Sequence, residues 1–241
     1  MTSQQDELPG HEWKHPQMVA EYIERVDRQE AERAAVFGLM ARLVPAETDA
    51  PILVLDIGAG HGPVITAVLD EFPNAHGLGL DISDAMMEAG QERMARFGDR
   101  FEYIVGDFSD GLLPANVVAA GPYDVVVSSR AIHHLTAALM EKMYADVYKN
   151  LKPGGAFFNV DTASPNNPEL QEIYRGVSRA ENADRPAVDQ TSPARMAHNQ
   201  LHHHRDATLV KHIEWLTAAG FHSVDAHYKR LGLALMGGFK K

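Results

Sequence analysis

The run Val54-Leu-Asp-Ile-Gly-Ala-Gly-His-Gly62 delivers a short apolar strand into a turn with a glycine at every second position, and Asp81 closes the next apolar run nineteen residues later. A strand that ends in glycines and passes into a helix is the first unit of a parallel sheet whose carboxyl edge binds a nucleotide-like ligand. An acid at the end of the second strand is placed to accept both hydroxyls of a ribose. Gly58 and Gly60 suit a dinucleotide fingerprint, GxGxxG, but Pro63 stands where the third glycine belongs. That glycine lets the helix pack tightly on its strand. Its replacement by proline argues against an NAD enzyme and leaves a nucleoside ligand held by a different turn.

The alternation continues along the chain. Strands are expected at 52 to 57, 75 to 81, 101 to 105, 123 to 128 and 154 to 161, with helices at 62 to 72, 84 to 97 and 136 to 150. Short apolar strands alternating with longer helical stretches imply an α/β fold with a parallel sheet covered on both faces. Tyr123-Asp-Val-Val-Val-Ser128 suits a central strand, Ser83 is a cap for the helix starting at Asp84, and Lys152-Pro-Gly-Gly155 reads as a tight turn into the fifth strand. Residues 1 to 45 read as helical, with Val19, Tyr22, Ile23 and Val26 in a stripe continued by Phe37, Met40 and Leu43, up to Pro45,. Residues 162 to 205, broken by Pro165, Pro168, Pro186 and Pro193, hold one expected helix at about 168 to 182. An insertion of that length is usually a lid or a binding element. A helix at 206 to 219, stopped by Gly220, and strands at 222 to 228 and about 231 to 236 complete the pattern.

Charge narrows the partners. The 241 residues hold 22 Lys and Arg against 33 Asp and Glu, a net charge of −11, and no basic run exceeds Lys240-Lys241. Such a balance disfavours nucleic acid and favours a small-molecule substrate. The chain has no cysteine for disulfides or thiolate metal sites, its first thirty residues lack the apolar core of a signal peptide, and no apolar run approaches twenty residues,. A cytoplasmic protein without a membrane span is expected, and a homodimer is compatible with it.

Five loops leave the carboxyl ends of the expected strands. The first holds Asp56, Gly58, Ala59 and Gly60, the second Asp81 and Ile82. In the third, Gly106-Asp107-Phe108, a carboxylate can accept from the exocyclic amine of a base whose ring Phe108 or Ile82 flanks; capping of the following turn by Asp107 is the alternative,. The fourth reads Ser128-Ser129-Arg130-Ala131-Ile132-His133-His134-Leu135. His133 and Arg130 are expected to face the substrate, where a histidine could take a proton from the attacking atom. His134 is a catalytic candidate too, though a packing and hydrogen-bonding role suits it better.

The set Asp56-x-Gly-x-Gly60, Asp81, Gly106-Asp107, His133-His134-Leu135 and Lys152-Pro-Gly-Gly155 resembles the class I S-adenosylmethionine (SAM) dependent methyltransferases, nearly continuously from 52 to about 161. The ending from Gly220 to Lys240 resembles the last helix, strand and strand of their small-molecule members. The resemblance implies a Rossmann-like doubly wound sheet of seven strands in the order 3-2-1-4-5-7-6, the last antiparallel, with helices on both faces. It implies one domain: a helical cap over 1 to 45, a SAM-binding core over 50 to 161, a lid over 162 to 205 and a closing helix and β-hairpin over 206 to 241. It also implies SAM as cofactor, S-adenosylhomocysteine (SAH) as product, and methyl transfer by in-line displacement to an O, N, S or C nucleophile of a small metabolite. Asp56, Gly58, Ala59, Gly60, Asp81, Ile82, Gly106, Asp107, Phe108 and Ser128 would hold the cofactor, with Asp56 ordering the glycine loop and reaching the methionine amino group through water. Amino-terminal helices cover the cofactor in related enzymes, so Tyr22 or Arg33 could meet the methionine carboxylate; a helix packed over the sheet edge is the alternative.

His198, His202, His203, His204 and Asp206 include an i, i+4 histidine pair able to hold zinc, yet nothing completes a site and methyl transfer needs no metal,. A gating loop, or His203 or His204 acting in the pocket, are the other readings. A base serves a phenol or alcohol, not an amine already neutral or a thiolate. Three rival functions stay open: an enzyme of this fold that alters the cofactor itself, as carboxy-SAM synthases do, a methyltransferase for RNA or protein, and a non-catalytic SAM-binding protein. The pocket loops show no obvious extra arginine pair, which disfavours the first.

Overall fold

Strands β1 (Leu53–Ile57), β2 (His76–Asp81), β3 (Phe101–Val105), β4 (Tyr123–Ser129), β5 (Leu151–Thr162), β6 (His222–Arg230) and β7 (Leu233–Phe239) form one sheet in the computed structural model, which describes residues 11–14, 16–27, 30–181, 183 and 207–241. Their order is β3-β2-β1-β4-β5-β7-β6. Pairing is parallel from β3 through β5, and β7 runs antiparallel to both β5 and β6. The expected strand order and the reversed last strand are both present. Strand order reverses between β1 and β4, which opens a crevice above their carboxyl ends.

Two hydrophobic layers sandwich the sheet, and β5 shows how one strand feeds both. Phe157 and Phe158 are adjacent and fully buried, so their side chains enter opposite faces,. Phe157 packs with Tyr144 of α6 (Ala137–Asn150) and Leu216 of α8 (Leu209–Ala219). Phe158 packs with Met40 of α2 (Glu30–Arg42) and Val68 of α3 (Pro63–Glu71). Each such side chain contributes about 1.5–3 kcal/mol by leaving water. Val125, Val126 and Val127 of β4 are almost wholly buried in succession, as a central parallel strand requires,.

The remaining helices are α1 (Pro16–Asp27), α4 (Asp84–Ala95), α5 (Ala115–Ala120) and α7 (Pro168–Glu181). Ser83 caps α4 as expected, its Oγ accepting from the Met86 N–H at 3.1 Å. The amino-terminal helical stretch forms two helices, α1 and α2, and α5 is an element the apolar pattern did not indicate. The fifth strand begins at Leu151 rather than at 154. Lys152–Gly155 lies within it as an irregularity, with Gly154 at φ 80 and a register shift against β4 between Tyr123 and Val125. The expected lid helix is α7. Residues 182 and 184–206, with His198, His202, His203, His204 and Asp206, lie outside the described residues. Among the described residues no helix is long and apolar enough to cross a membrane.

Candidate functional site

The turn after β1 is pinned from β2. The N–H groups of Gly58 and Ala59 donate to the Leu80 carbonyl at 2.8 and 3.0 Å, and Gly60 N–H donates to Asp81 Oδ2 at 2.7 Å. The Tyr103 hydroxyl holds the Gly60 carbonyl at 3.1 Å. Gly58 sits at φ 69, and a Cβ there would overlap that of Ala131. Glycine is therefore required by the loop after β4, which lies against it. At Gly60, φ 55, an added Cβ would meet nothing nearer than Met86 Sδ at 3.8 Å, so this is where the turn is open. Pro63 takes the first position of α3, which its missing N–H suits,.

Asp56 lies fully buried below the turn, outside the cleft wall. Its Oδ2 accepts from Ile65 N–H at 3.2 Å in the first turn of α3, and Oδ1 has no hydrogen-bond partner among the described residues. Burial pushes this carboxyl up to about 8, against the Ile65 N–H and with the help of neighbouring Asp81. Asp81 reaches the cleft at the end of β2 while Oδ1 accepts from Ser83 N–H at 2.8 Å and Oδ2 from Gly60. Burial raises its pKa too, and the N–H groups of Ser83, Gly60 and Ile82 restrain the rise.

The cleft above these strand ends is walled by Trp13, Tyr22, Arg33, the turn Gly58–His61, Asp81, Ile82, Asp107, Phe108, Ser129, Arg130, Ala131 and His134. It is narrow, with a volume of about 70 Å³. Asp107 combines its two expected settings, lining the cleft while Oδ1 accepts from Ser109 N–H at 2.7 Å. Gly106 and Ser128 do not line it. Gly106 is needed for packing, since a Cβ there would stand 2.8 Å from Leu80 Cδ1 and 2.9 Å from Pro114 Cγ. The Ser128 hydroxyl is spent inside the sheet, donating to the Ile57 carbonyl at 2.8 Å, and the next residue, Ser129, takes the place in the wall.

His134 takes the packing and hydrogen-bonding role that suits it better, while His133, expected to face the substrate, lines neither cavity. His134 is the one in the cleft, where Trp13 Nε1–H donates to its Nε2 at 3.0 Å. Indole nitrogen only donates, so Nε2 is the bare nitrogen of a neutral ring whose proton is on Nδ1. Trp13 in turn meets Tyr22 edge-on, with ring centroids 5.0 Å apart. The His133 ring turns from both cavities towards Asp161. Its Nδ1 lies 2.5 Å from Asp161 Oδ1, and its backbone N–H donates to Oδ2 at 3.1 Å. Burial pushes the Asp161 carboxyl up, but the His133 charge and hydrogen bond, with the Thr162 N–H and the more distant His212, outweigh it and leave the group at about 2. Asp161 belongs to the face of β5 opposite Val160 and Thr162, which explains why its partner is not in the cavity those two residues line.

That second cavity, of about 480 Å³, adjoins the cleft and shares Arg33, Ser129 and Arg130 with it. Its other walls come from Phe37 of α2, Val160 and Thr162 of β5, Glu181 of α7 and the β6–β7 turn from Arg230 to Leu233. Arg130 holds φ 52, a left-handed backbone costing a side-chain-bearing residue about 1–3 kcal/mol,. Arg230 pairs with Glu181 at 2.9 Å. The loop after β4 supplies one arginine to these cavities, and α2 and the end of β6 supply two more. His61, Ser129 and Arg230 line these cavities without having been singled out as site residues, and Trp13 lines the cleft beside Tyr22 and Arg33. Strand alternation beside Ser128 could have found Ser129; for Arg230 no local signal exists.

A family model of the methyltransferase domain matches residues 54–155. The chain is 30% identical over 148 residues to the ubiquinone/menaquinone biosynthesis C-methyltransferase UbiE of Methylobacterium nodulans, covering 61% of this chain and 56% of that protein. It is 30% identical over 135 residues to the sterol 24-C-methyltransferase of Yarrowia lipolytica, covering 53% of this chain and 33% of that one. The chain thus spans little more than half the length of the first relative and a third of the second. In fold it is similar to a structure of PigF with SAH, at TM-score 0.62 and 18% identity over 95% of this chain and 60% of that one. An O-methyltransferase family protein from Burkholderia thailandensis superposes at TM-score 0.59 and 19% identity over 89% and 59% of the two chains. Residues 54–155 thus match a methyltransferase domain, and the strand order and glycine turn around them are similar to those of the class I SAM-dependent methyltransferases.

Proposed function

We propose that the chain transfers a methyl group from SAM to a small molecule, with the cleft as the cofactor site and the adjoining cavity as the acceptor site. The observation that carries this reading is the meeting in one cleft of Asp81, Asp107 and the open turn at Gly60, flanked by Ile82 and Phe108. A carboxylate offers about four acceptor sites, so beyond its backbone N–H partners Asp81 keeps capacity for ribose hydroxyls,. Asp107, its Oδ1 turned to Ser109, is the acceptor for an adenine amine. Arg33 is the cation for an amino-acid carboxylate, and Trp13 with Tyr22 covers the bound molecule.

When bound, the cofactor supplies a methyl group on a sulfonium, a good leaving group. The chain then has to align a nucleophile with that methyl and exclude water. Ser129 and Arg130, common to both cavities, form the seam across which the two reactants face each other. His134 is not the base in this arrangement, because Trp13 occupies its unprotonated nitrogen. His133 holds the loop after β4 to Asp161 and lines neither cavity. The narrow cleft requires Trp13 and Tyr22 to shift for entry and to return over the ligand,.

Calorimetric titration with SAM, SAH and NAD, on the wild type and on Asp81→Asn, tests the reading. Kd values on the order of micromolar are expected for SAM and SAH, with a loss of about tenfold in the variant at unchanged circular dichroism. Binding of NAD without SAM contradicts it.

A further inference from the structure

We infer, resting on the methyltransferase reading above, that the cavity beside the cleft takes an acidic acceptor: a small molecule with an apolar body and one anionic oxygen group, carboxylate or phosphate. Three arginines from separate elements, Arg33 of α2, Arg130 of the loop after β4 and Arg230 at the end of β6, line it. The chain as a whole carries a net charge of −11. Against that background a concentration of arginine at one cavity makes a local field of the opposite sign, which draws anions in. Among the described residues of the wall, Glu181 is the one acid against these three arginines, and it lies 2.9 Å from Arg230. Among the described wall residues arginine outnumbers acid, and with Arg33 assigned above to the cofactor's carboxylate, Arg130 and Arg230 are the two that serve the acceptor.

The cation type also matters. A guanidinium presents a planar fork that fits two oxygens of a carboxylate or phosphate at once. Arg130 is held by its own backbone: its N–H donates to the Val160 carbonyl at 3.0 Å, at φ 52, a conformation retained only where the surroundings impose it,. Ser129 and Thr162 add hydroxyl donors, while Phe37, Val160 and Leu233 supply an apolar wall. A volume of about 480 Å³ accommodates a ligand of metabolite size,. Because Arg130 also lines the cleft, an anion held by it stands next to the cofactor site.

Benzoate, phenyl phosphate and neutral benzamide are the probes, titrated by calorimetry with and without saturating SAH on the wild type, Arg230→Gln and Glu181→Gln. Benzoate or phenyl phosphate is expected to bind about tenfold more tightly than benzamide, and whichever does so identifies the anionic group. Arg230→Gln weakens that binding and Glu181→Gln strengthens it, while both variants keep the wild-type affinity for SAH. Equal binding of benzamide overturns the proposal, as do shifts of the same sign in the two variants. Competition between SAH and the anion overturns it as well, by putting the anion in the cofactor cleft. If SAH fails to bind while the anion pattern holds, the methyltransferase reading falls and the acceptor role falls with it; if SAH binds and the anion pattern fails, only the acidic acceptor is lost.

Discussion

Asp161 grips His133 twice, with Oδ1 2.5 Å from ring Nδ1 and Oδ2 3.1 Å from the backbone N–H. The pair fastens the loop after β4 to the end of β5, and Arg130 N–H donating to the Val160 carbonyl fastens it again three residues earlier. The strained Arg130 backbone between the two cavities is held in place by these attachments.

Replacing Asp161 with Asn exposes the charge in this attachment. The folded carboxyl lies at about 2, below its ordinary 3.8. A depressed acid contributes stability in full above the unfolded value and loses it as pH falls through the folded one, here from about 3.8 down to about 2,. At neutral pH the contribution is roughly 2–3 kcal/mol, since each tenfold change in proton affinity corresponds to about 1.4 kcal/mol. Urea unfolding from pH 7 to pH 2 should show the variant weaker at pH 7 and the gap closing across that window. A gap that is the same at every pH counts against the charge pair.

Asp56 has the opposite sign. Burial raises its carboxyl to about 8, so the stability it contributes is present below 3.8 and is lost as pH rises through about 8,. Asp56→Asn keeps an oxygen for the Ile65 N–H and cannot ionise. Its melting temperature relative to the wild type should therefore climb between pH 5 and pH 9. A variant that falls further behind at pH 9 would show that Asp56 is stabilised as an anion.

Trp13→Phe keeps an aromatic ring against Tyr22 and deletes the donor to His134. A neutral hydrogen bond contributes about 1 kcal/mol, or about a fivefold change in an equilibrium constant. The Kd for SAH should weaken by that factor through a faster off-rate, measured by stopped-flow fluorescence. The double variant with His134→Phe should be no weaker than the single one; additive losses would mean that His134 acts independently of Trp13.

The sheet and the cleft floor were legible because they repeat. Strand, turn and helix recur with a regular period, and loops at the carboxyl ends of parallel strands converge whatever their sequence, so Gly60, Asp81, Ile82, Asp107 and Phe108 meet as expected. Decisions between neighbours were not legible. Whether Ser128 or Ser129 faces the cleft turns on one residue of strand alternation, and His133 and His134 differ only in which finds a carboxylate and which an indole. Asp161 lies on another strand and Trp13 outside the repeating core, so neither partner is written near the histidine it engages. The second cavity was hidden for the same reason: Arg33 and Arg230 are almost two hundred residues apart and meet only after β6 and β7 close the sheet.

A crystal structure of the protein grown with SAH tests the central claim most directly. The adenosyl group is expected between Ile82 and Phe108, with both ribose hydroxyls on Asp81, the adenine amine at Asp107 and the sulfur facing the seam at Ser129 and Arg130. An empty cleft at saturating SAH, or a nucleoside bound without contact to Asp81, would contradict it.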